Sequence, residues 1–498
     1  MGPQRSRPVT GWCFALLYAL FALAVTATRG LGGVQVDRVQ TQGVGGADRE
    51  SPSSSVFPPA TQRLKLYIWH VTNAAAVVTG KGSTPVLEER GPFVWARVVD
   101  RSAECEGGSA PGTLCFYPRE SFTFLANESC PGICQDVDGR RHTVVSVSYI
   151  GVVANAQRLG YQGRVLMDLV TTEWKARDLV FSARSASELA FGWNDELLHS
   201  LRTFDASVNT FIPGLTAHAS QSVDDALAAG ATVVRTELGS DAPAGAFVGE
   251  LLAWRGGDTA QCCTADRVAC PPNPLSAPWS PRLASAVRGS SEALLFPRGL
   301  TPASDARAWS PEALRSVLLR GNGTVWRNVG GTDVECVKLI FDPTYLVETG
   351  DTSSTTSDGD SGGITPSSYD LISPPGLMTN FSRCNSGVPV MSTAPHFLFI
   401  DDPGVTDQLH GVAPPDLEVH ATFAVVDPRT GVTQDGATRA QVAVPLSPAQ
   451  VDGSTWLPHL PRVPLFPVLW FELSGQVLQD AAAQAGAVQG GKRAADVM

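Results

Sequence analysis

The residues that spell a reaction most plainly are Gly359-Asp360-Ser361-Gly362-Gly363, the pattern of a serine-protease nucleophile turn, with His218 upstream as a general base. Such a serine needs three supports: a carboxylate that orients the histidine, a rigid turn that supplies oxyanion donors, and a specificity pocket beyond it. Asp258 is the only obvious acid, the serine sits in a Gly/Ser/Asp run, and no core strand follows it. A five-residue pattern in such a run arises readily by chance. A secreted serine protease is therefore kept as an alternative, and the chain is read as a binding protein, not an enzyme.

Cysteines could do chemistry or hold structure. Ten are present, and nine lie beyond the N-terminal leader: Cys105, Cys115, Cys130, Cys134, Cys262, Cys263, Cys270, Cys336 and Cys384. Neither Cys130 with Cys134 nor Cys262 and Cys263 with Cys270 has the paired C-x-x-C or histidine spacing of a zinc site. Disulfides in an oxidising compartment are expected instead, with no metal and no cofactor. The short separation of Cys105 and Cys115 permits a hairpin staple. Nine cysteines cannot all pair within one chain, so at least one thiol stays free or links two chains. Glycosylation triplets at Asn127, Asn322 and Asn380 fit the same lumenal or extracellular setting.

The third candidate chemistry is electrostatic. Net charge is -11, from 48 acids and 37 bases with no basic block, which argues against nucleic acid as a partner. Between residues 151 and 184, however, Arg158, Arg164, Lys175, Arg177 and Arg184 outnumber Asp168, Glu173 and Asp178, a local balance of +2. Arg164, Lys175 and Arg177 are the candidate ligand-binding set, a basic patch for anionic headgroups. The plain alternative is an ordinary solvated helix face.

The elements that would position these groups follow from composition and periodicity. Residues 1–28 form a signal peptide or signal anchor: Arg5 and Arg7 precede an uncharged run to Ala27, with Val25 and Ala27 before a cleavage point at Thr28. Residues 29–62 read as a Gly/Ser/Pro-rich stalk, 63–475 as the receptor domain and 476–498 as a polar tail. Alternation of Leu64, Leu66 and Ile68 with Lys65 and Tyr67 predicts a strand, and further strands are expected at 93–99, 231–236, 334–341, 397–400 and 420–426. Leu166, Leu169, Val170 and Trp174 at helical spacing predict a helical insertion over 150–198. A disordered surface loop is expected over 350–368. The second-best apolar run, 463–473, is interrupted by Pro464 and Pro467 and carries Glu472, so at most one membrane anchor is expected, at the N-terminus.

Several separated segments resemble, in order, the class B scavenger receptor and lysosomal integral membrane protein family. They are Asn73 with Pro85, Val86, Leu87, Glu88, Gly91, Pro92 and Phe93; Gly192-Trp193-Asn194-Asp195; Arg288-Gly289-Ser290 with Phe296-Pro297; Cys384, Gly387, Pro389, Ser392, Pro395, His396, Phe397 and Asp401; Asp427-Pro428-Arg429-Thr430-Gly431; and Pro467-Val468-Leu469-Trp470. The resemblance implies a mainly β (α+β) fold, an antiparallel β-barrel ectodomain with an apical helical bundle and an internal apolar tunnel. It implies binding and transfer of lipids or lipoproteins at the plasma membrane or in endosomes and lysosomes, with a lysosomal cargo receptor as the alternative. Lys175 resembles the family's apical lysine only by approximate position. His396 is expected as a packed strand residue and Trp470 as core. Three departures stand out: Ser291 replaces an expected Asp, the chain ends in a polar tail where a second membrane helix is usual, and Leu314-Arg315-Ser316 replaces Cys-Arg-Ser. The last removes the partner implied for Cys384, for which Cys336 is the substitute candidate.

Overall fold

The structure, a computed structural model, describes residues 60–80, 84–105, 109–158, 160–203, 208–216, 219–238, 242–243, 245–257, 287–311, 314–329, 331–341, 377–381, 388–446, 456–457, 460 and 463–477. The leader, the stalk up to residue 59, the 350–368 loop and the tail lie outside these residues, as do His218, Asp258 and Ser361. All described residues belong to one compact unit, Ser51–Met498.

Strand β1 (Ala60–Val71) turns through helix α1 (Ala74–Val78) into β2 (Leu87–Asp100), followed by β3 (Thr113–Phe116), β4 (Arg119–Phe124) and β5 (His142–Val145). The next segment holds α2 (Val147–Arg158), α3 (Tyr161–Glu173), α4 (Ala176–Leu179), β6 (Phe181–Arg184), α5 (Ala186–Phe191), β7 (Trp193–Asn194) and α6 (Glu196–Arg202). Short elements β8 (Phe211–Ile212), α7 (Val223–Ala229), β9 (Thr232–Arg235) and β10 (Leu251–Ala253) lead to the second half. There lie β11 (Asp305–Ser310), β12 (Arg315–Val329), β13 (Thr332–Phe341), β14 (Leu377–Asn380), β15 (Met391–Thr393), α8 (Pro403–Thr406), α9 (Leu417–His420), β16 (Phe423–Val426), β17 (Thr433–Val444) and β18 (Phe466–Val477).

The fold is mainly β with helices. Its main sheet has 11 strands in the order β11-β12-β13-β16-β17-β18-β1-β2-β4, with β15 on β17 and β14 on β15. Every pairing in it is antiparallel, and the first and last strands of the chain's core, β1 and β18, lie side by side from Ala60↔Val477 to Ile68↔Leu469. No ladder joins β11 to β4 among the described residues, so the barrel implied by the resemblance is not closed by hydrogen bonds. Register between β1 and β2 shifts at Leu66/Ile68, where Gly91 is required. A Cβ there would stand 2.7 Å from the Leu66 carbonyl oxygen.

Local chemistry explains where the helices begin. Ser185 caps α5 in a reciprocal box with Glu188, and Asp195 caps α6 by accepting from the Leu197 and Leu198 amides. The Asp of Gly192-Trp193-Asn194-Asp195 therefore has a structural role, and its other oxygen accepts from Ser148, Arg184 and Trp193. Helices α2 and α3 approach so closely that a Cβ on Gly163 would overlap the Ala156 carbonyl, at 1.7 Å.

Two expected strands are corrected. Residues 395–397 form a 3-10 turn, because His396, Phe397 and Phe399 take φ of 54°, 58° and 75°, a left-handed conformation no strand contains. His420 closes α9, capped by Asp416, and strand pairing starts only at Phe423. The apolar run 463–473 is mostly strand β18. No helix among the described residues is long and apolar enough to cross a membrane.

Candidate functional site

Alternation and register give the main sheet two unlike faces. On one, Leu64 stands opposite Leu473 and Trp95, Leu66 opposite Phe471 and Phe93, and Gln62 opposite Gly475 and Arg97. The same face continues through Thr438 and Ala440 on β17, Ala424 on β16, Leu339 and Phe341 on β13, Leu319 on β12, and Ala306 on β11. It is almost wholly apolar.

Over this face lies a cavity of about 80 Å³. Its wall includes Gln62 and Arg97 from β1 and β2, and also Ala308, Trp309 and Val317 from β11 and β12, strands near the opposite end of the sheet order. The sheet must therefore curl until its two ends face one cavity. Among the described residues, Arg97 and Glu292 are the charged ones in the lining, 3.8 Å apart. Glu292 also takes a 2.6 Å bond from Arg101, while Arg97 pairs with Glu120 on β4. Glu292 belongs to the turn Ser291–Ala293, beside a Ser290↔Ala308 bridge to β11. Ion pairs thus span the seam that backbone ladders leave open. Burial pushes the Glu292 carboxyl up, but Arg101 and Arg97 outweigh it and hold it below its ordinary range.

Beyond the cavity the same face is packed core, with Leu64 and Trp95 buried. Leu64 stands beside Leu473 and Trp95, and Trp95 packs on Phe124 at 5.4 Å and on Phe191 of α5 at 5.6 Å. Strand β5, at the root of the helical segment, meets β1 where the Thr143 amide donates to His70 Nδ1. At about 3.3 Å per residue, His70 is roughly 26 Å along β1 from Gln62.

The opposite face carries buried polar groups. Glu472 accepts from Lys65 at 2.7 Å and from Arg439 at 2.8 Å, and Arg439 also donates to the carbonyls of Glu418 and Ala421. Further along, Glu89 accepts from His396 Nε2 at 2.6 Å and from Trp470 Nε1 at 3.2 Å, and the rings of His396 and His420 stack at 4.1 Å. Burial works against ionisation of Glu89, yet the His396 and Trp470 hydrogen bonds hold its carboxyl below the ordinary range. His420 is lowered to about 4, first by burial and then by His396. Trp470 is core, stacked on Tyr67.

The sequence-derived residues fall in several places. Arg164 and Lys175 are exposed on the helical segment, and Arg177 lies within α4. The structure does not bring them to the cavity. Arg184 is withdrawn from any ligand by Asp195 at 2.9 Å and by the Trp193 ring. Val170 and Met167 are buried and Leu166 is partly buried against the core, so the apolar stripe of α3 faces inward and is not an open docking face. Disulfides join Cys105 to Cys115 and Cys130 to Cys134. Cys336 is a buried free thiol, raised to about 11 chiefly by burial, and packs with Val334 and Val425. It is not bonded to Cys384, so that suggested pairing is overturned. Cys384, Cys262, Cys263 and Cys270 lie outside the described residues. Asn127 and Asn322 are exposed, and Asn380 ends β14. Trp309, Glu292 and Arg97 escaped sequence reasoning because no local pattern links them.

The family model of the CD36 family matches residues 35–497. Scavenger receptor class B member 1 of Mus musculus is 23% identical over 447 residues, covering 86% of this chain and 74% of that protein. Lysosome membrane protein 2 of Mus musculus is 24% identical over 386 residues, 77% of this chain and 69% of that protein. Sensory neuron membrane protein 2 of Heliothis virescens is 33% identical over 97 residues, 19% of this chain and 17% of that protein.

Proposed function

Given that this chain belongs to the CD36 family, we propose that it is a membrane-associated, scavenger-receptor-like protein that binds and transfers lipids or lipoprotein lipid without chemical change. The observation that carries this reading is the cavity on the apolar face, with Leu319, Phe341, Ala424 and Leu473 in its wall. An apolar concavity with few polar groups suits a non-covalent apolar ligand. The cavity takes part of an acyl chain, and passage of the rest toward the helical segment would require the packed core around Trp95 to open. Names of relatives agree: one is a scavenger receptor and another a lysosomal membrane protein.

Lipids extracted from the purified protein and identified by mass spectrometry test the reading directly. Ala308→Leu adds about three carbon atoms to a buried cavity wall, enough to fill much of the space at a strain cost of about 1–3 kcal/mol. Retained lipid should fall severalfold while the variant stays folded. Equal lipid in both proteins would remove the cavity from the mechanism.

Arg164 and Lys175, with Arg177, are the proposed docking charges for anionic lipid particles. Reversing Arg164 and Lys175 to Glu should slow association with acidic vesicles strongly in low salt and weakly near 1 M salt, where the Debye length is only about 3 Å. Stability should change by no more than about 0.5 kcal/mol, because both residues are exposed. Unchanged association kinetics across that salt range would leave them as a solvated face. The cargo-receptor reading would need a surface other than the inward apolar stripe of α3.

A further inference from the structure

We propose that a second cleft, on the face of β11 and β12 opposite the cavity, binds a phosphate monoester through Arg288, Arg307 and Arg320. This goes beyond the lipid-binding reading and does not rest on it. The cleft holds about 590 Å³, more than a bare ion fills and within the ~300–1,000 Å³ of small-molecule sites.

Register sets its floor. Ala308 and Leu319 line the cavity, so by alternation Arg307, Leu318 and Arg320 belong to the other face. Arg307 stands opposite Leu318 and Arg320 opposite Asp305, which makes the two arginines diagonal neighbours on adjacent strands, about 7–8 Å apart. One ligand is within reach of two side chains this long. The third arginine arrives on the Arg288-Gly289-Ser290 block. The Ser290 amide donates to the Arg307 carbonyl at 2.8 Å. Ser316, on the same face of β12, holds the Arg288 backbone at both ends: its hydroxyl accepts from the amide at 3.1 Å and donates to the carbonyl at 2.8 Å. The approach is so close that a Cβ on Gly289 would stand 2.5 Å from the Arg307 carbonyl oxygen. All three arginines are exposed in the cleft wall.

Charge gives the class of ligand. Among the described residues the lining carries these three arginines with Glu250 and Asp305. Glu250 is answered from outside the lining by Arg235 at 3.0 Å, and Asp305 lies 3.9 Å from Arg320. With Arg235 counted, four cations face two anions, a surplus of two. A phosphate monoester is close to a dianion at neutral pH, and its terminal oxygens match the planar guanidinium fork. A single carboxylate would leave one positive charge unanswered. Like charges on neighbouring strands repel, so a dianion seated among the arginines also relieves them. The floor suits the organic half of an ester: Leu318 is buried, and Phe247 and Pro297 are half-buried. The phosphate comes from a lipid headgroup or from a soluble ester, and the same titrations tell these apart.

Phenyl phosphate, dihexanoyl phosphatidic acid, inorganic phosphate and benzoate are each titrated calorimetrically into the full-length protein at neutral pH. Both esters should bind about tenfold more tightly than inorganic phosphate or benzoate. Tighter binding of the phosphatidic acid than of phenyl phosphate assigns the site to a lipid headgroup; the reverse order, or equality, assigns it to a soluble ester. The double variant Arg288→Gln, Arg307→Gln should lower the affinity for both esters at least about tenfold, while lipid recovered from the purified protein stays at the wild-type level, which separates this site from the cavity. Urea denaturation checks that the variant is folded. Arg307→Lys keeps the charge, removes the fork and should weaken binding less, and it reads the same site if the double variant does not fold. Failure of either ester to outbind inorganic phosphate and benzoate, or ester affinity unchanged by these substitutions, would overturn the proposal.

Discussion

Acidification from pH 7 to pH 4 should destabilise the described domain by about 6 kcal/mol, with His142 and His420 as the main sources. Both are lowered to about 4, His142 first by burial and His420 likewise. His142 is 0% exposed, and both its ring nitrogens lack a partner. Its charged neighbours Arg90 and Arg140 oppose protonation, as does His70, and only Glu88 favours it. His420 faces His396, Arg439, Glu89 and Asp416, and its Nδ1 accepts from the Asp416 amide, which requires that nitrogen to be unprotonated. In the unfolded chain both histidines bind protons near pH 6.5, so between 6.5 and 4 the unfolded state holds more protons and stability rises with pH. Each contributes about 3 kcal/mol above pH 6.5, and that is lost as pH falls through 4. Glu89, Glu292 and Glu472 are held below their ordinary range, so their contributions are lost in the same direction at still lower pH. Urea denaturation at pH 7.0, 5.5 and 4.5 measures the slope. His142→Leu removes a titrating group without removing a hydrogen bond, and His420→Gln retains an acceptor for the Asp416 amide; each should flatten the slope by about half. A slope unchanged in both variants would assign the acid sensitivity to the carboxylates alone.

How much of this could be read beforehand follows from what sequence encodes locally. The alternation around Leu64, Leu66 and Ile68 located β1, because a strand with one buried face must repeat every two residues. The ten-residue separation of Cys105 and Cys115 permitted the disulfide now seen. The turn at Pro395–Phe397 was missed because its apolar residues imitate a buried strand, while the left-handed backbone that bends it leaves no mark in hydropathy. The cavity was illegible for a different reason. Gln62, Arg97, Glu292 and Trp309 converge only once nine strands have taken their order and the sheet has curled, and nothing within any short window records that register. Glu89 and His396, 307 positions apart, meet for the same reason. The basic residues were visible because charge is counted without a fold. Arg184 shows the limit of counting, since its charge is spent on Asp195.

Replacing Arg439 with Ala should cost about 3–5 kcal/mol, a large share of a typical domain's stability. Its side chain is 10% exposed and sits between β17, β18 and α9. It satisfies three acceptors: Glu472 at 2.8 Å, the Ala421 carbonyl at 2.7 Å and the Glu418 carbonyl at 3.1 Å. The last two are at the end of α9, so Arg439 binds an otherwise weak one-turn helix to the sheet. Its guanidinium also lies 5.2 Å from the centre of the Phe423 ring. Truncation leaves Glu472, with a side chain 9% exposed, dependent on Lys65 alone, and the penalty of that uncompensated carboxylate should exceed the worth of the ion pair itself. A double-mutant cycle separates the two. Glu472→Gln in the Arg439→Ala background removes the stranded charge and should recover about 1–3 kcal/mol relative to additivity. Urea denaturation at pH 7 reads all four proteins, and His420, on the same turn of α9, should become more accessible to hydrogen exchange at its backbone amide when Arg439 is lost. Strict additivity in the cycle, or a loss below about 1 kcal/mol for Arg439→Ala, would mean that the buried polar face is held by packing around Tyr67 and Trp470 and not by this arginine.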